Sequence, residues 1–320
     1  MTYQVLIPDA VHPSALAVFE GAPELQVTFQ GQMSRADLLA ALPEAEALII
    51  RSASKIDAEA LASAGKLKMI ARAGVGVDNV DIPAATARRI VIMNTPDGNT
   101  ISTAEHTFGL MLALARHIPQ AHASLASGKW DRKSFNGVEL RGKTLGVVGF
   151  GRIGRAVARR ALAFDMQVIA FDPYIPAEAA AALGVEMVAL EDIYRRSDFI
   201  TLHALLTDET KEMIRAETLI RMKKGVRIVD AARGALINEA DLAEAIKSGQ
   251  VAGAALDVFS QEPPQADNPL IGLPGVVHTP HLAASTDDAQ IVVAVDAAKL
   301  VRDALLSGVF NNVVNPAALN

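Results

Sequence analysis

Residues 143–172 read KTLGVVGFGRIGRAVARRALAFDMQVIAFD. The apolar run Thr144 to Val148 has the length and composition of a buried strand. Gly149-Phe150-Gly151-Arg152-Ile153-Gly154 follows at once. Ile153, Val157, Ala161 and Phe164 then recur at helical spacing, and a second apolar run, Val168 to Phe171, ends in Asp172. Strand, glycine turn, helix, strand and acid, in that order, form a dinucleotide-binding fingerprint. Gly149 allows a tight turn out of the strand, Gly151 lets a pyrophosphate approach the backbone, and Gly154 lets helix and strand pack closely. The N–H groups and dipole at the helix start hold phosphate charge. Asp172 can accept hydrogen bonds from the adenosine ribose and would repel the extra phosphate of NADP, so the cofactor expected is NAD. A glycine turn without a ligand is the plainer reading; the two flanking strands and the acid argue against it.

The alternation extends in both directions. Residues 1–98 offer strands at Tyr3 to Ile7, Leu25 to Phe29, Ala47 to Ile50, Lys68 to Ala71 and Ile90 to Met93. Short helices between them carry caps at Ser34, Asp57 and Asp81. Asn99 to about Ser127 reads as one long helix, followed by an arm, Gly128 to Gly142, that holds the only tryptophan, Trp130. Beyond the fingerprint, strands are expected at Phe199 to His203, Val226 to Asp230, Val251 to Asp257 and Val276 to Thr279. A helix capped by Asn238 lies among them, and a last helix runs from about Thr286 to Leu306, followed by a tail. Such alternation implies an α/β fold with mainly parallel sheets covered by helices.

The bulk properties narrow the function. The 320 residues are 51% hydrophobic and 21% charged, which suits a globular protein of two domains. Net charge is −6 and no basic stripe is present, so nucleic acid is not an expected partner. The absence of cysteine excludes disulfides, thiolate metal sites and cysteine nucleophiles. No membrane span and no signal peptide are expected, because Met1-Thr2-Tyr3-Gln4 opens a first strand and the apolar stretch Phe108 to Ala115 is too short to cross a bilayer. A cytoplasmic location is expected. His278 and His281 are three residues apart, but Pro280 intervenes and no carboxylate cluster is near, so no metal is expected.

Open α/β sheets bind ligands outside the carboxyl ends of their strands. Arg233, Glu262 and His281 follow three such ends. A guanidinium can hold a carboxylate with two parallel hydrogen bonds and polarise the adjacent carbonyl. A neutral histidine can take a hydroxyl proton as hydride leaves the same carbon. A carboxylate beside it sets the tautomer and raises its pKa. Taken singly, Arg233 reads more simply as a surface ion pair, Glu262 as a solvated loop residue and His281 as a packed loop histidine.

Several segments together resemble the D-2-hydroxyacid dehydrogenases: Ala73-Gly74-Val75-Gly76-Val77-Asp78-Asn79-Val80-Asp81, the fingerprint, Ala231-Ala232-Arg233-Gly234, Ala255-Leu256-Asp257-Val258-Phe259 with Glu262-Pro263, and Pro280-His281-Leu282-Ala283. The resemblance implies two Rossmann-like, doubly wound parallel-sheet domains with the active site in the cleft between them. Residues 1–98 plus 285–320 would form the substrate-binding domain and residues 99–284 the NAD-binding domain. Arg233, Glu262 and His281 become the catalytic set. Arg152 and Ile153 join Gly149, Gly151 and Gly154 at the pyrophosphate, with Asp172 on the ribose. Asp257 would meet the nicotinamide amide, and Ala231 and Ala283 would line the same site. The amides around Val75 and Gly76 would cradle the substrate carboxylate. A homodimer is the family expectation.

Within the family the likeness is strongest to members whose hydroxy acid carries a phosphate, through Arg51-Ser52-Ala53-Ser54-Lys55, Ile70-Ala71-Arg72-Ala73-Gly74, Asn94-Thr95-Pro96-Asp97-Gly98-Asn99 and Gly128-Lys129-Trp130-Asp131-Arg132-Lys133. Arg51 and Arg72, with Arg132 on the arm, would supply the cations such a substrate needs. The reaction so implied is NAD-dependent oxidation of D-3-phosphoglycerate to 3-phosphohydroxypyruvate. Rival readings are a glyoxylate or hydroxypyruvate reductase, another 2-hydroxyacid dehydrogenase, or an NAD(H)-sensing interaction module. The chain departs from the pattern at Ala204-Leu205-Leu206, at Asp230 where Asn is common, and at Ala283 where Gly is common. The regulatory domains of longer members are not expected, nor is feedback through them.

Overall fold

The computed structural model describes residues 2–320. The chain forms two compact units, Met1–Asn99 with Ser285–Asn320, and Thr100–Ala284. The first unit holds strands β1 (Tyr3–Ile7), β2 (Leu25–Phe29), β3 (Ala47–Ile50), β4 (Met69–Arg72) and β5 (Val91–Asn94). They make one parallel sheet in the order β2-β1-β3-β4-β5. Side chains alternate between its faces, and both faces are covered, so the strands read as unbroken apolar runs. Val5, Ile7, Ala47, Ile49, Met69 and Ala71 pack with the C-terminal helix Asp287–Ser307. Leu6, Leu48, Ile50, Ile70 and Ile92 pack with Leu38, Leu61 and Ala85 from the helices Arg35–Ala41, Ala58–Ser63 and Ile82–Ala87. The side chains of Ser34, Asp57 and Asp81 accept the backbone N–H groups of Asp37, Ala60 and Ala84, so the caps read in the sequence are all made.

The second unit holds β6 (Thr144–Val148), β7 (Gln167–Phe171), β8 (Glu186–Met187), β9 (Phe199–Leu202), β10 (Val226–Asp230), β11 (Val251–Leu256) and β12 (Val276–His278). All pairs are parallel, in the order β12-β11-β10-β9-β6-β7-β8. The chain leaves β6 in one direction across the sheet and returns on its other side at β9. The carboxyl end of β6 is therefore the switch point at which such sheets take ligands. The α/β class with two doubly wound parallel sheets is borne out. The short strand β8 was not expected.

The long helix expected from Asn99 to Ser127 is two helices, Thr100–Arg116 and Ile118–Ala126. His117 between them is left-handed at φ 53°, and Pro119 opens the second helix, where its missing N–H has no intrahelical partner to lose. The first of the two buries Thr103, Ala104, Thr107, Phe108, Leu110, Met111, Leu114 and Ala115 in the core of the second unit.

The segment after Gly308, read from sequence only as a tail, is tied into the first sheet. Val313 forms a bridge to Met93, and Val314 N–H donates to Ile92 O at 2.8 Å. Buried Asn315 accepts from Ile92 N–H at 2.7 Å and donates to Ile90 O at 2.9 Å and Thr86 Oγ1 at 3.0 Å. Asn315→Ala strands these backbone groups and should destabilise the protein by about 2–3 kcal/mol. Urea unfolding checks this; a midpoint within error of the unsubstituted protein would contradict it.

Candidate active site

The glycine turn lies between β6 and the helix Arg152–Ala163. Gly149 sits at φ 89°, and a Cβ there would come 2.5 Å from the carbonyl carbon of His203. A Cβ at Gly154 would lie 2.1 Å from Gly149 O. Neither position admits a side chain. Gly151 differs: an added Cβ would meet nothing within 4 Å, so its open side faces space a ligand can enter. Gly151 caps the helix without a side-chain hydrogen bond, which leaves the helix start suited to an anion. Asp172 Oδ2 accepts from Phe150 N–H at 2.8 Å and Oδ1 from Tyr174 N–H at 2.9 Å. The acid thus holds the turn against the end of β7, and each oxygen keeps a lone pair for a hydroxyl. The cradle, the anion-accepting helix start and the acid fit NAD.

The strands β10, β11 and β12 are neighbours, and this adjacency gathers the second cluster. Asp257 follows β11 and is 0% exposed. Its Oδ1 accepts from Thr279 Oγ1 at 2.5 Å and Leu282 N–H at 2.8 Å, and its Oδ2 from Ala283 N–H at 2.8 Å. His106, from the helix Thr100–Arg116, approaches Oδ1 at 3.2 Å and Thr279 Oγ1 at 3.1 Å through Nε2. Burial pushes this carboxyl up, but these donors outweigh it and hold Asp257 below the ordinary carboxylate range. The backbone carbonyl of Asp257 accepts His281 N–H at 2.8 Å. The loop Thr279 to Ala283 is wrapped around one side chain, and in it His281 is held left-handed at φ 56°.

His281 Nδ1 lies 2.7 Å from Glu262 Oε2. An ionised carboxylate only accepts, so Nδ1 carries the proton and Nε2 presents the lone pair. The hydrogen bond to Glu262 raises the His281 pKa above its ordinary 6.5, against the opposite pull of burial. Burial pushes Glu262 up, but the bonds from His281 and from Phe259 N–H at 3.1 Å hold it low. Arg233 follows β10; its charge bears on both Glu262 and His281, and its Nη1 donates to Ala232 O at 2.7 Å. The next residue, Gly234, has no room for a side chain: a Cβ there would lie 2.0 Å from the Phe259 backbone. Arg233, Glu262 and His281 thus share one edge of the second unit, with Asp257, Ala231 and Ala283 buried beside them.

Of the residues expected to bind substrate, Arg51, Arg72, Val75 and Gly76 lie in the first unit. Arg72 ends β4 and pairs in register with Ile50, so Arg51 and Arg72 leave neighbouring strands at the same edge. The Arg72 guanidinium folds over Gly74, where a Cβ would meet Nη1 at 2.2 Å. Asn94 Nδ2 donates to Val75 O at 2.6 Å, which braces the turn through Val75 and Gly76. Arg51 Nη1 donates to Ala10 O at 3.1 Å. Arg132 is exposed on the arm, which lies in the second unit. Two residues outside the expected site set, Asp9 and Asn79, fix the Arg51 loop. Buried Asp9 accepts Arg51 N–H at 2.5 Å and Ser54 N–H at 3.3 Å. Asn79 Nδ2 bonds Arg51 O at 2.7 Å and Ser54 O at 2.6 Å. Asp9 was visible as an acid just past a strand end. Nothing near His106 in the sequence ties it to Asp257, because one stands on the helix Thr100–Arg116 and the other just past β11.

Residues 108–283 match the family model for the D-isomer specific 2-hydroxyacid dehydrogenase, NAD binding domain. The chain is 48% identical over 313 residues to the D-3-phosphoglycerate dehydrogenase of Methanocaldococcus jannaschii, covering 98% of this chain and 59% of that one. It is 46% identical over 312 residues to the human protein of the same name, covering 96% of this chain and 58% of that one. The chain therefore spans somewhat over half the length of these curated relatives. Among solved structures, a protein from Thermus thermophilus matches with TM-score 0.88 at 36% identity, over 97% of this chain and 99% of that one. A glyoxylate reductase from Paecilomyes thermophila matches with TM-score 0.88 at 30% identity, over 98% of both chains. The two parallel sheets, the glycine turn and the matches along nearly the whole chain place this protein in the D-isomer-specific 2-hydroxyacid dehydrogenase family, with that family's NAD-binding domain at residues 108–283.

Proposed function

We propose that this chain oxidises D-3-phosphoglycerate to 3-phosphohydroxypyruvate with NAD. The observation that carries the reading is the 2.7 Å pair of His281 and Glu262 on the edge that also bears Arg233. The names of the relatives at 46–48% identity support the substrate. NAD⁺, when bound, supplies the hydride acceptor. His281 Nε2 takes the proton of the C2 hydroxyl, and Glu262 stabilises the imidazolium that results. Arg233 binds the substrate carboxylate and polarises the C2 oxygen as it becomes a carbonyl. The amides around Val75 and Gly76 add donors for the carboxylate, and Arg51, Arg72 and Arg132 hold the phosphate. Arg152 and Ile153, with the glycines, hold the cofactor pyrophosphate; Asp172 holds its ribose; and Ala231, Asp257 and Ala283 form the wall at its nicotinamide.

We also read the protein as a cytoplasmic homodimer. The helix Ile118–Ala126 has no fully buried residue, and Ile118 and Leu125 are 53% and 56% exposed. Trp130 on the arm is 79% exposed. This apolar surface suits a second copy of the chain. No helix among the described residues is long and apolar enough to cross a membrane.

The test is a panel of phosphohydroxypyruvate, hydroxypyruvate and glyoxylate with NADH and NADPH, followed by cofactor absorbance. Phosphohydroxypyruvate with NADH should give the highest kcat/KM. His281→Asn should lower kcat by roughly 10²–10⁴-fold with little change in NAD affinity. In the unsubstituted enzyme, oxidation should rise with pH as His281 loses its proton, through an apparent pKa above 6.5. Near-normal turnover in His281→Asn would remove the histidine from its role. Arg51→Ala should raise KM for the phosphorylated substrate far more than for glyoxylate; equal effects on both would refute phosphate binding there. Asp172→Ala should relax the preference for NAD over NADP, and an unchanged preference would show that the acid serves only the turn.

A further inference from the structure

The carboxyl edge of the second sheet holds two fully buried carboxyl groups with opposite surroundings. Asp257 is met by the Thr279 hydroxyl, the His106 imidazole and the N–H groups of Leu282 and Ala283. Asp230 ends the neighbouring strand β10 and is also 0% exposed. Its Oδ1 accepts Ala232 N–H at 2.8 Å, and the N–H of Arg233 also bonds the carboxyl. Its Oδ2 is buried with no hydrogen-bond partner among the described residues. Charge on an oxygen that no donor meets is costly in a core, and the ionised Asp257 beside it adds repulsion. A proton on Asp230 removes both costs.

The remaining titratable groups around Asp230 do not reverse this. Arg233, on the turn that follows, favours the charged form. His203, just past β9 on the other side, is neutral because burial pushes it down to about 4. His106, from the helix packed on this face, spends its N–H on Asp257 and Thr279. Burial is the largest effect on Asp230 and pushes it up to about 7; the N–H groups of Ala232 and Arg233 offset it only in part.

We propose that Asp230 is a positioning residue for Arg233: as an uncharged acid it anchors the turn Ala231–Arg233 and leaves the guanidinium to the substrate carboxylate, and as a carboxylate it competes for that guanidinium. The inference rests on the reading of Arg233 as the carboxylate-binding residue. An amide at this position would anchor the turn equally and never compete. The acid makes substrate affinity depend on pH around neutrality, separately from the proton taken by His281.

The test compares the unsubstituted enzyme with Asp230→Asn. Infrared difference spectra at acid pH should show a protonated-carboxyl band present only in the unsubstituted protein and lost near pH 7. Aspartate labelled with ¹³C reads the same band in the unsubstituted protein alone, should the variant fail to fold. KM for the hydroxy acid should rise about tenfold more in the unsubstituted enzyme than in D230N between about pH 6 and 8.5, while kcat follows the same profile in both. D230N shares every other titration, including that of the substrate, so the difference belongs to Asp230. Absence of the band overturns the proposal, and so does a D230N profile that keeps the full rise in KM. An unsubstituted enzyme with no turnover on any 2-hydroxy acid defeats the functional reading and this role with it; a surviving infrared band tells that outcome from a misjudged Asp230.

Discussion

The buried carboxylate of Asp257 is the constraint on which the catalytic edge of the second unit depends. A carboxyl that is 0% exposed must be met by donors, and Asp257 takes them from the loop Thr279 to Ala283 and from His106. Pro280 has no N–H, so the donors come from the residues around it. His281 is left-handed in this wrapping, a conformation that costs an L-residue about 1–2 kcal/mol. The charge-assisted hydrogen bonds to Asp257 offset such a cost readily. The imidazole is therefore aimed by a carboxylate on the adjacent strand end, before Glu262 selects its tautomer. Asp257 N–H also donates to Asp230 O, which extends the same brace to the turn bearing Arg233.

Four acids illustrate how donor count sorts identical chemistry into different tasks. Asp172, with one backbone N–H on each oxygen, secures the glycine turn and still faces solvent in part. Asp257, met by Thr279, Leu282 and His106 on one oxygen and by Ala283 on the other, holds the loop that bears His281. Glu262 has one backbone donor and one imidazole, and so serves the histidine. Asp230 has donors on one oxygen only. Composition distinguishes none of these, because the difference lies in which N–H groups the fold delivers to each carboxyl.

Much of the fold was legible because its signals are local. The glycine turn, the caps at Ser34, Asp57, Asp81 and Asn238, and the apolar runs of the strands all act within a few residues. Even the missed break at His117 had a local sign in Pro119, which the continuous apolar pattern of the flanking helices obscured. Arg233, Glu262 and His281 could be named as polar residues just past strand ends. The partners of Asp9, Asn79, His106 and Asn315 could not be named in the same way. Asn315 bonds Ile92, 223 positions away, and Asp9 bonds Arg51, 42 positions away; a polar residue in a loop gives no sign of such a partner.

What the sequence by itself determined is the class of fold, the cofactor turn and the types of residue at the strand ends. Periodicity, glycine and capping are read from short windows, and the chemistry of a side chain travels with its name. Only the tertiary structure decided that β10, β11 and β12 lie side by side, that Asp257 gathers the His281 loop, and that Asp230 has an oxygen without a donor. Strand order and hydrogen-bond satisfaction arise from contacts between distant segments, which no local pattern encodes.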